Sequence, residues 1–409
     1  MKKHLISLYA LALAASVVSC SVEIREDNDE AVTNTGTSTI SGNTLADGGV
    51  LSGTITQDLT IKKGNYTLKG VVKVASGVTL YIEAGAKFTV DTTEASSLVI
   101  LQGGKINAQG TADAPIVFTT TSKTPGDWGG ITLYGNAPIL AINGQSTAQS
   151  EDGNNLQYGG TNANDNSGIM KFVRVEYAGK KIGDGTSETN TFTFYSVGAG
   201  TILENLVAYK GTDDGFEFFG GTVSATNLVA YGNYDDSFDW QDGWQGANNS
   251  NWYAYQTKTG NFGMEIEASA NKDNTAPKIT GITLIREDGT SPEKKGSNEI
   301  SAIQFKKQGS GIFKNVYISG YKDLDGKSAY AVLIQDNDTE NDQAKTGKIK
   351  VEPINVLNSS NTTTWGYDSK VTAATTPQSI TNTSSLGKIS LVSGAWATVD
   401  SVDLLQALK

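Results

Sequence analysis

One segment of the chain repeats itself without gaps, and this repeat constrains the fold more than any other feature. Residues 204–221 align with residues 226–243 at an offset of 22 residues. The matched pairs are Asn205 and Asn227, Leu206 and Leu228, Tyr209 and Tyr231, Asp213 and Asp235, Asp214 and Asp236, Phe216 and Phe238, and Glu217 and Asp239. A period near 22 residues that holds two or three short strands predicts one coil of a parallel β-helix, whose equivalent side chains stack about 4.8 Å apart.

The chain beyond residue 50 consists of short strings rich in β-branched residues, separated by Gly, Asn and Asp. Such strings are typical of strands, and no amphipathic helical pattern interrupts them before the last ten residues. Leucine-rich repeats have a similar period, but the Leu/Asn frame that they need is absent. We therefore predict an all-β solenoid over residues 50–409, with a short C-terminal helical cap at Asp400–Leu408.

The N-terminus has the pattern of an export signal. Lys2 and Lys3 precede an apolar run that ends before Ser19 and Cys20, and this run is too short to span a bilayer. The junction resembles the lipobox of bacterial lipoproteins, in which cleavage precedes a cysteine that is then acylated. Residues 1–19 are therefore predicted to be a lipoprotein signal peptide, with Cys20 as the lipidation site; the alternative is an ordinary secretory signal.

A polar segment separates Cys20 from the solenoid. Residues 20–49 contain few apolar side chains, so they cannot bury enough surface to offset their ordering entropy, and we predict a flexible tether. Its acidic stretch resembles the surface-export signal of Bacteroidetes lipoproteins, although a solvated charge run has the same composition. The expected location is the outer membrane, anchored by lipid in the bilayer and exposed at the cell surface.

Composition excludes several classes of function. The formal net charge of −11 would repel nucleic acid, so no nucleic-acid partner is expected. The single His and the single Cys are His4 and Cys20, both in the predicted signal or at its junction. The mature chain therefore lacks the residues needed for a zinc site of the His/Cys type and for Ser-His-Asp or Cys-His catalysis.

The paired repeat carries a dense cluster of acidic residues without a basic residue between Gly211 and Thr257. In the coil register Glu217 lies over Asp239, and like charges on adjacent strands repel each other. Calcium, a hard cation bound by oxygen ligands, would neutralise them. The alternative is a set of Asx turns that face water. The predicted metal ligands are Asp213, Asp214, Glu217, Asp235, Asp236, Asp239 and Asp242.

Aromatic residues follow the acidic coils and predict a surface for sugar binding. Aromatic rings supply apolar contact to sugar faces, and neighbouring acids accept hydrogen bonds from hydroxyls. The predicted ligand-binding residues are Tyr234, Trp244, Trp252 and Tyr253. Core stacking is the alternative for such residues. The long polar insertion at residues 143–166 is expected to be a disordered loop, or else a further wall of this surface.

Several strings in the middle half of the chain resemble right-handed parallel β-helix surface lipoproteins of Bacteroidetes, which share the pectin-lyase-like fold. The matching strings are Gly126–Gly135, Tyr158–Gly160, Asn164–Gly179 and the two acidic coils. The resemblance implies a right-handed solenoid and a place at the cell surface. It implies little about activity, because members of that family are mostly uncharacterised.

The two aspartate pairs also resemble part of the active site of polygalacturonase-family hydrolases. Gly211–Asp214 and Tyr234–Asp236 stand for the first two motifs, whereas the histidine motif of that family is missing. Two carboxylates suffice for inverting hydrolysis when they stand about 6.5–9.5 Å apart, so Asp214 and Asp236 are the alternative catalytic pair. A calcium-dependent lyase would need a basic residue such as Lys171, Arg174 or Arg286.

The sequence thus favours a surface protein that binds an extracellular ligand, most simply a glycan, with calcium as its cofactor. The alternative is a polysaccharide-degrading hydrolase or lyase. An outer-membrane importer complex is the expected protein partner.

Overall fold

The computed structural model describes residues 43–182, 187–373 and 376–409. Its strands wind into a right-handed parallel β-helix, so the predicted fold class is confirmed. Each coil contributes strands to three parallel sheets, and side chains that alternate along every strand point into one continuous apolar interior. Residues 1–42, including Cys20, lie outside the described residues.

The first and second sheets share several strands, because in many coils a single residue with positive φ makes the bend and strand pairing continues on both sides of it. The strands that contribute to both sheets are Gly168–Glu176, Ile202–Tyr209, Ala225–Tyr231, Asn249–Gln256, Lys278–Arg286 and Gly311–Ser319. The other strands of the first sheet are Thr44–Leu45, Leu59–Ile61, Thr79–Glu83, Lys105–Gln109 and Ile349–Val351. The other strands of the second sheet are Val50–Ile55, Gly64–Val74, Ala86–Val90, Ile116–Thr119 and Ile354–Leu357.

The third sheet completes each coil. Val50–Ile55 and Gly64–Val74 begin in the second sheet and end in the third. The further strands of the third sheet are Ser97–Ile100, Ile131–Tyr134, Phe192–Tyr195, Phe216–Phe219, Phe238–Gln241, Met264–Ile266, Ile303–Phe305, Val332–Ile334 and Gly366–Tyr367. Stacked aromatic rings fill its inner face, with Phe192, Phe216 and Phe238 in one column at centroid separations of 5.0 and 5.7 Å.

A ladder of asparagines forms the bend between the first and second sheets. Asn205, Asn227 and Asn251 adopt φ values of 56°, 58° and 57°, which asparagine tolerates better than most residues. The Nδ2 of Asn227 donates to Oδ1 of Asn205 at 2.9 Å, and Nδ2 of Asn251 donates to Oδ1 of Asn227 at 3.0 Å. The ladder therefore fixes both the bend and the register of successive coils.

The solenoid begins earlier than the sequence predicts. Thr44–Leu45 pairs in parallel with Thr60 and Ile61, so the predicted tether boundary at residue 49 is wrong by several residues. The reason is that Leu45 lies in the apolar interior, where it caps the first coil. At the other end, residues 376–386 cover the last coil, where Asn382 bridges to Ile354 and Ile380 enters the interior.

The predicted helical cap at Asp400–Leu408 is also wrong. Thr398–Val399 pairs antiparallel with Val402–Asp403, and Asp400 and Ser401 both adopt positive φ, as a two-residue hairpin turn requires. The chain after residue 386 runs back over the outer face of the second sheet, where Trp396 and Leu404 are buried. The C-terminus therefore covers a side of the solenoid and not its end.

The remaining elements are short. They are the antiparallel pairs Ala148–Gln149 with Gln157–Tyr158 and Lys181–Ile182 with Ser187–Glu188, the 3-10 turns Ile142–Gly144, Ala395–Ala397 and Gln406–Leu408, the α-helical turn Asn337–Thr339 and the π-helical turn Glu340–Ala344. No helix among the described residues has the length and apolar character needed to cross a membrane.

Replacing Asn227 should destabilise the solenoid through two separable effects. Asn227→Gly removes both ladder hydrogen bonds, each contributing about 0.5–1.5 kcal/mol, while keeping the permissive backbone. Asn227→Ala removes the same bonds and adds a cost of about 1–2 kcal/mol for positive φ. We expect both variants to unfold at lower denaturant concentration, with the alanine variant unfolding first. Equal midpoints for Asn227→Ala and the unmodified chain would contradict the role of the ladder.

Candidate functional site

The acidic cluster lies where the chain turns from the second sheet into the third and along the outer face of the third sheet. The strands Phe216–Phe219, Phe238–Gln241 and Met264–Ile266 are in register, so Glu217, Asp239 and Glu265 form one outward row. The predicted stacking of Glu217 over Asp239 is confirmed. Because Phe216, Phe218, Phe238 and Trp240 face inward, the acidic side chains project from the opposite face.

A second acidic row lies in the preceding turns. The backbone N–H of Asp236 donates to Oδ1 of Asp214 at 2.8 Å, and the N–H of Phe262 donates to Oδ1 of Asp236 at 2.6 Å. Asn190 begins this row, because its Oδ1 accepts from the N–H of Asp214 at 3.3 Å. These bonds join one coil to the next and do not close Asx turns, and Asp214 and Asp236 are buried, so the alternative of Asx turns that face water is wrong for these two residues.

The two rows combine into overlapping groups of carboxylates that have the geometry to share a metal ion. Within each group, one oxygen from each residue lies within 4.8 Å of the others. The groups are Asp213 with Asp214 and Asp235, Asp214 with Glu217 and Asp239, and Asp236 with Asp239 and Glu265. Six of the seven predicted metal ligands belong to these groups, and Glu265 joins them although sequence reasoning missed it.

Asp239 occupies the centre of the cluster and lacks a hydrogen-bond donor on one oxygen. Asp239 is 9% exposed, and its Oδ1 is buried without a hydrogen-bond partner among the described residues. The neighbouring Glu217 differs, because it accepts from Nδ2 of Asn190 and, at 3.1 Å, from Nε2 of Gln241. An unpartnered buried carboxylate oxygen is costly, and a bound cation is one way to satisfy it.

Asp242, the seventh predicted ligand, is satisfied elsewhere. Its carboxylate accepts from the Ser269 hydroxyl at 2.5 Å and from the Tyr158 hydroxyl. Tyr158 belongs to the insertion at residues 143–166, which was expected to be disordered. This insertion instead packs against the outer face of the third sheet through Tyr158 and neighbouring apolar side chains. It therefore forms a wall beside the cluster, and Asp242 joins the wall to the sheet.

One lysine from a later coil neutralises part of the cluster. Nζ of Lys306 contacts Glu265 and lies 3.5 Å from Glu267, while Lys307 contacts Glu267 at 2.7 Å. Burial lowers the pKa of Lys306, whereas the carboxylates of Glu265, Asp239 and Glu267 raise it. The increase exceeds the decrease, so the pKa of Lys306 lies above its usual value. Lys306 is therefore a fixed positive charge at the Glu265 end of the row.

The basic residues considered for a lyase lie elsewhere or are occupied. Lys171 pairs with Glu204 at 2.8 Å on the first sheet, and Arg174 pairs with Glu176 at 2.6 Å under the C-terminal segment. Arg286 is buried and donates to the carbonyl oxygen of Asn261 at 2.8 Å. These contacts make Lys171, Arg174 and Arg286 structural cations and not available bases.

The predicted aromatic surface is mostly wrong. Trp244 and Trp252 are 1% and 0% exposed and stack on Phe218 inside the solenoid. Tyr253 is 0% exposed because the C-terminal segment covers the second sheet above it. Of the four predicted aromatic residues, Tyr234, which precedes Asp235 in the chain, is the one that is half-buried.

Burial and mutual repulsion raise the pKa values of the clustered carboxyl groups. Burial is the largest cause for Asp214, Glu217, Asp236 and Asp239, all of which titrate well above their usual range. The pKa of the half-buried Asp235 rises to about 7, again through burial first and then through Glu265. Without a cation, these groups bind protons more tightly in the folded chain than in the unfolded chain.

Comparison with known proteins places the chain in a family that has this fold. Residues 53–398 match the family model described as a pectate-lyase-like β-helix domain, and the chain belongs to that family. Among solved structures, the A-module of the Azotobacter vinelandii mannuronan C-5 epimerase AlgE6 is 12% identical over 77% of this chain and 79% of that chain, with a TM-score of 0.28. The chain matches no curated protein.

In chelator, the stability of this protein should fall as the pH rises from about 4 through about 7. A raised folded-state pKa means that the folded chain holds more protons than the unfolded chain in this window, so the free energy of unfolding decreases with pH. Melting temperatures measured between pH 4.5 and 8 check this. Asp239→Asn should flatten the slope, and a stability that rises with pH in the unmodified chain would contradict the assignment.

Proposed function

We propose that this β-helix binds calcium in the acidic cluster and binds a glycan through that ion. The observation that carries the proposal is the buried, unpartnered Oδ1 of Asp239 within the group formed with Asp214 and Glu217. Calcium takes six to eight oxygen ligands, and three side-chain carboxylates leave coordination positions open. Hydroxyl or carboxylate oxygens of a glycan are suitable occupants of such positions.

The position of Lys306 supports the choice of the central group as the proposed cation site. Lys306 already neutralises Glu265, so the group of Asp236, Asp239 and Glu265 has a counter-charge. Among the described residues, no lysine or arginine side chain forms an ion pair with Asp214, Glu217 or Asp239. A divalent cation between these three residues would relieve the repulsion that the stacked register imposes.

The exposure gradient across the cluster supports access by a large ligand. Asp214, Glu217 and Asp239 are buried, whereas Asp213, Asp235, Glu265 and Tyr234 are half-buried at its rim. The insertion wall that contains Tyr158 borders the same face. A polysaccharide lying across the rim would therefore meet the ion, the half-buried acids and one aromatic ring. Membership of the pectate-lyase-like family agrees with a carbohydrate ligand.

Calcium should raise the melting temperature, and Asp239 should be required for the effect. A ligand that binds only the folded state stabilises it by about 2.7 kcal/mol at a hundredfold excess over its Kd. Magnesium should act weakly, because it requires near-octahedral geometry and loses water reluctantly. Asp239→Asn should abolish the response, whereas Asp242→Asn, a buried aspartate with its own hydrogen bonds, should keep it.

The same variants separate cation binding from glycan binding. Titration with polyuronic and neutral polysaccharides in calcium and in chelator measures whether the glycan needs the ion. The proposal requires binding in calcium that chelator and Asp239→Asn both remove. A melting temperature that calcium leaves unchanged in the unmodified chain would contradict the cation site.

The membrane anchor is a separate part of the proposal and rests on the N-terminal sequence. We propose that Cys20 is acylated and holds the β-helix at the outer-membrane surface, where an importer complex would be its partner. Cys20→Ala should release the protein from the membrane fraction or leave the unprocessed precursor, as fractionation and mass spectrometry would detect. A mature, membrane-bound Cys20→Ala protein would contradict this anchor.

A further inference from the structure

A column of tyrosines runs along the outer face of the second sheet, at the strand ends that precede the turns of Asp213 and Asp235. Tyr209, Tyr231 and Tyr255 are in register on neighbouring strands. Their rings stack with centroid separations of 5.7 Å for the first pair and 4.9 Å for the second, and interplanar angles of 28° and 16°. Because the faces of the rings are stacked on one another, the column presents ring edges and hydroxyls to its surroundings.

The C-terminal hairpin stands beside this column and leaves an open groove of about 460 Å³. The groove is lined by Tyr231, Tyr255, Ser401, Val402, Asp403, Leu404, Gln406 and Ala407. The two tyrosines are half-buried and Gln406 is exposed, so the lining is accessible from solvent. We name this feature, bounded by Tyr231, Tyr255 and residues 401–407, the tyrosine groove.

The lining combines apolar surface with a few polar groups, as sites for polyhydroxylated ligands do. Ring edges, Val402 and Ala407 supply apolar contact, while Ser401 and Gln406 supply hydrogen-bond donors and acceptors. The carboxylate of Asp403 pairs with Nζ of Lys409 at 2.5 Å and accepts from the N–H of Leu405 at 3.0 Å. This pairing cancels the charge of Asp403, while the carboxylate of Glu287 interacts with Tyr255 and Tyr231, so the groove disfavours an anionic ligand and suits a neutral one.

The repeat of the column favours a polymer over a single small molecule. Tyr209 is buried, and in the groove Tyr231 and Tyr255 place one phenol ring per coil on two successive coils, with ring centroids 4.9 Å apart. A chain of repeating sugar units lying parallel to the solenoid axis would meet equivalent hydroxyls at successive units. We propose that the tyrosine groove is a second glycan-binding site, specific for neutral oligosaccharides and independent of calcium.

The test uses the full-length mature chain with neutral hexasaccharides of glucose, mannose, xylose and galactose as probes, titrated by calorimetry in chelator. Chelator removes any contribution from the acidic cluster. We expect one of these probes to bind, and Gln406→Ala or Tyr255→Ala to weaken it about tenfold, which corresponds to about 1.4 kcal/mol. Tyr81→Ala, at a partly exposed tyrosine on the first sheet, is the matched control and should bind normally.

Three outcomes would contradict glycan binding in the tyrosine groove. No binding of any hexasaccharide in chelator would overturn the proposal, as would binding that Gln406→Ala and Tyr255→Ala leave unchanged. Binding that requires calcium and is lost in Asp239→Asn would assign the glycan to the acidic cluster alone. Because Gln406 is exposed, its replacement reports on the groove even if Tyr255→Ala lowers stability. Failure of calcium to bind the cluster would leave this test unaffected.

Discussion

The interior, the asparagine ladder and the acidic cluster all depend on the parallel, in-register stacking of the coils. Stacking places each side chain over its equivalent, which is favourable for Phe216 on Phe238 and for Asn205 on Asn227. The same register places Glu217 on Asp239, where equivalence is unfavourable because both side chains carry negative charge. The architecture thus creates the acidic cluster together with the need to neutralise it.

The solenoid hides much of its own lateral surface. The insertion that contains Tyr158 covers part of the third sheet, and the C-terminal segment that contains Trp396 covers part of the second. These coverings protect apolar residues that face outward, including Tyr195 and Tyr253. What they leave accessible is the rim of the acidic cluster on one sheet and the tyrosine groove on another. The accessible surface of the described coils is therefore defined as much by the covering segments as by the coils themselves.

The sequence could predict the features that follow from a gapless repeat. The 22-residue offset correctly stacks Glu217 on Asp239, because no loop intervenes between these coils. Glu265 was missed because a longer loop precedes its strand, although it stands in register with Asp239. Lys306 could not be placed near the cluster, since it lies on a strand end two coils further on. The covering role of the C-terminus was equally hidden, since it depends on long-range packing.

The aromatic residues show how a register error misassigns function. Trp252 stands in register with Leu228, a core position, so extending the alignment by one coil would have placed it in the interior. Trp244 follows a strand and carries no such signal; only its stacking on Phe218 reveals its burial. In the sequence, Tyr231 and Tyr255 follow the same strand pattern as the neighbouring residues that are buried. Only the position of the C-terminal hairpin shows that these two tyrosines are accessible.

The central claim is that a cation neutralises the stacked carboxylates of Asp214, Glu217 and Asp239. The most direct test is a crystal structure of the protein grown in calcium, with diffraction recorded at a long wavelength where calcium scatters anomalously. The account predicts an anomalous peak between these three residues, with Oδ1 of Asp239 among its ligands. The absence of a peak at this position would contradict the account, and Oδ1 of Asp239 would then contact Lys306 or share a proton with Glu217.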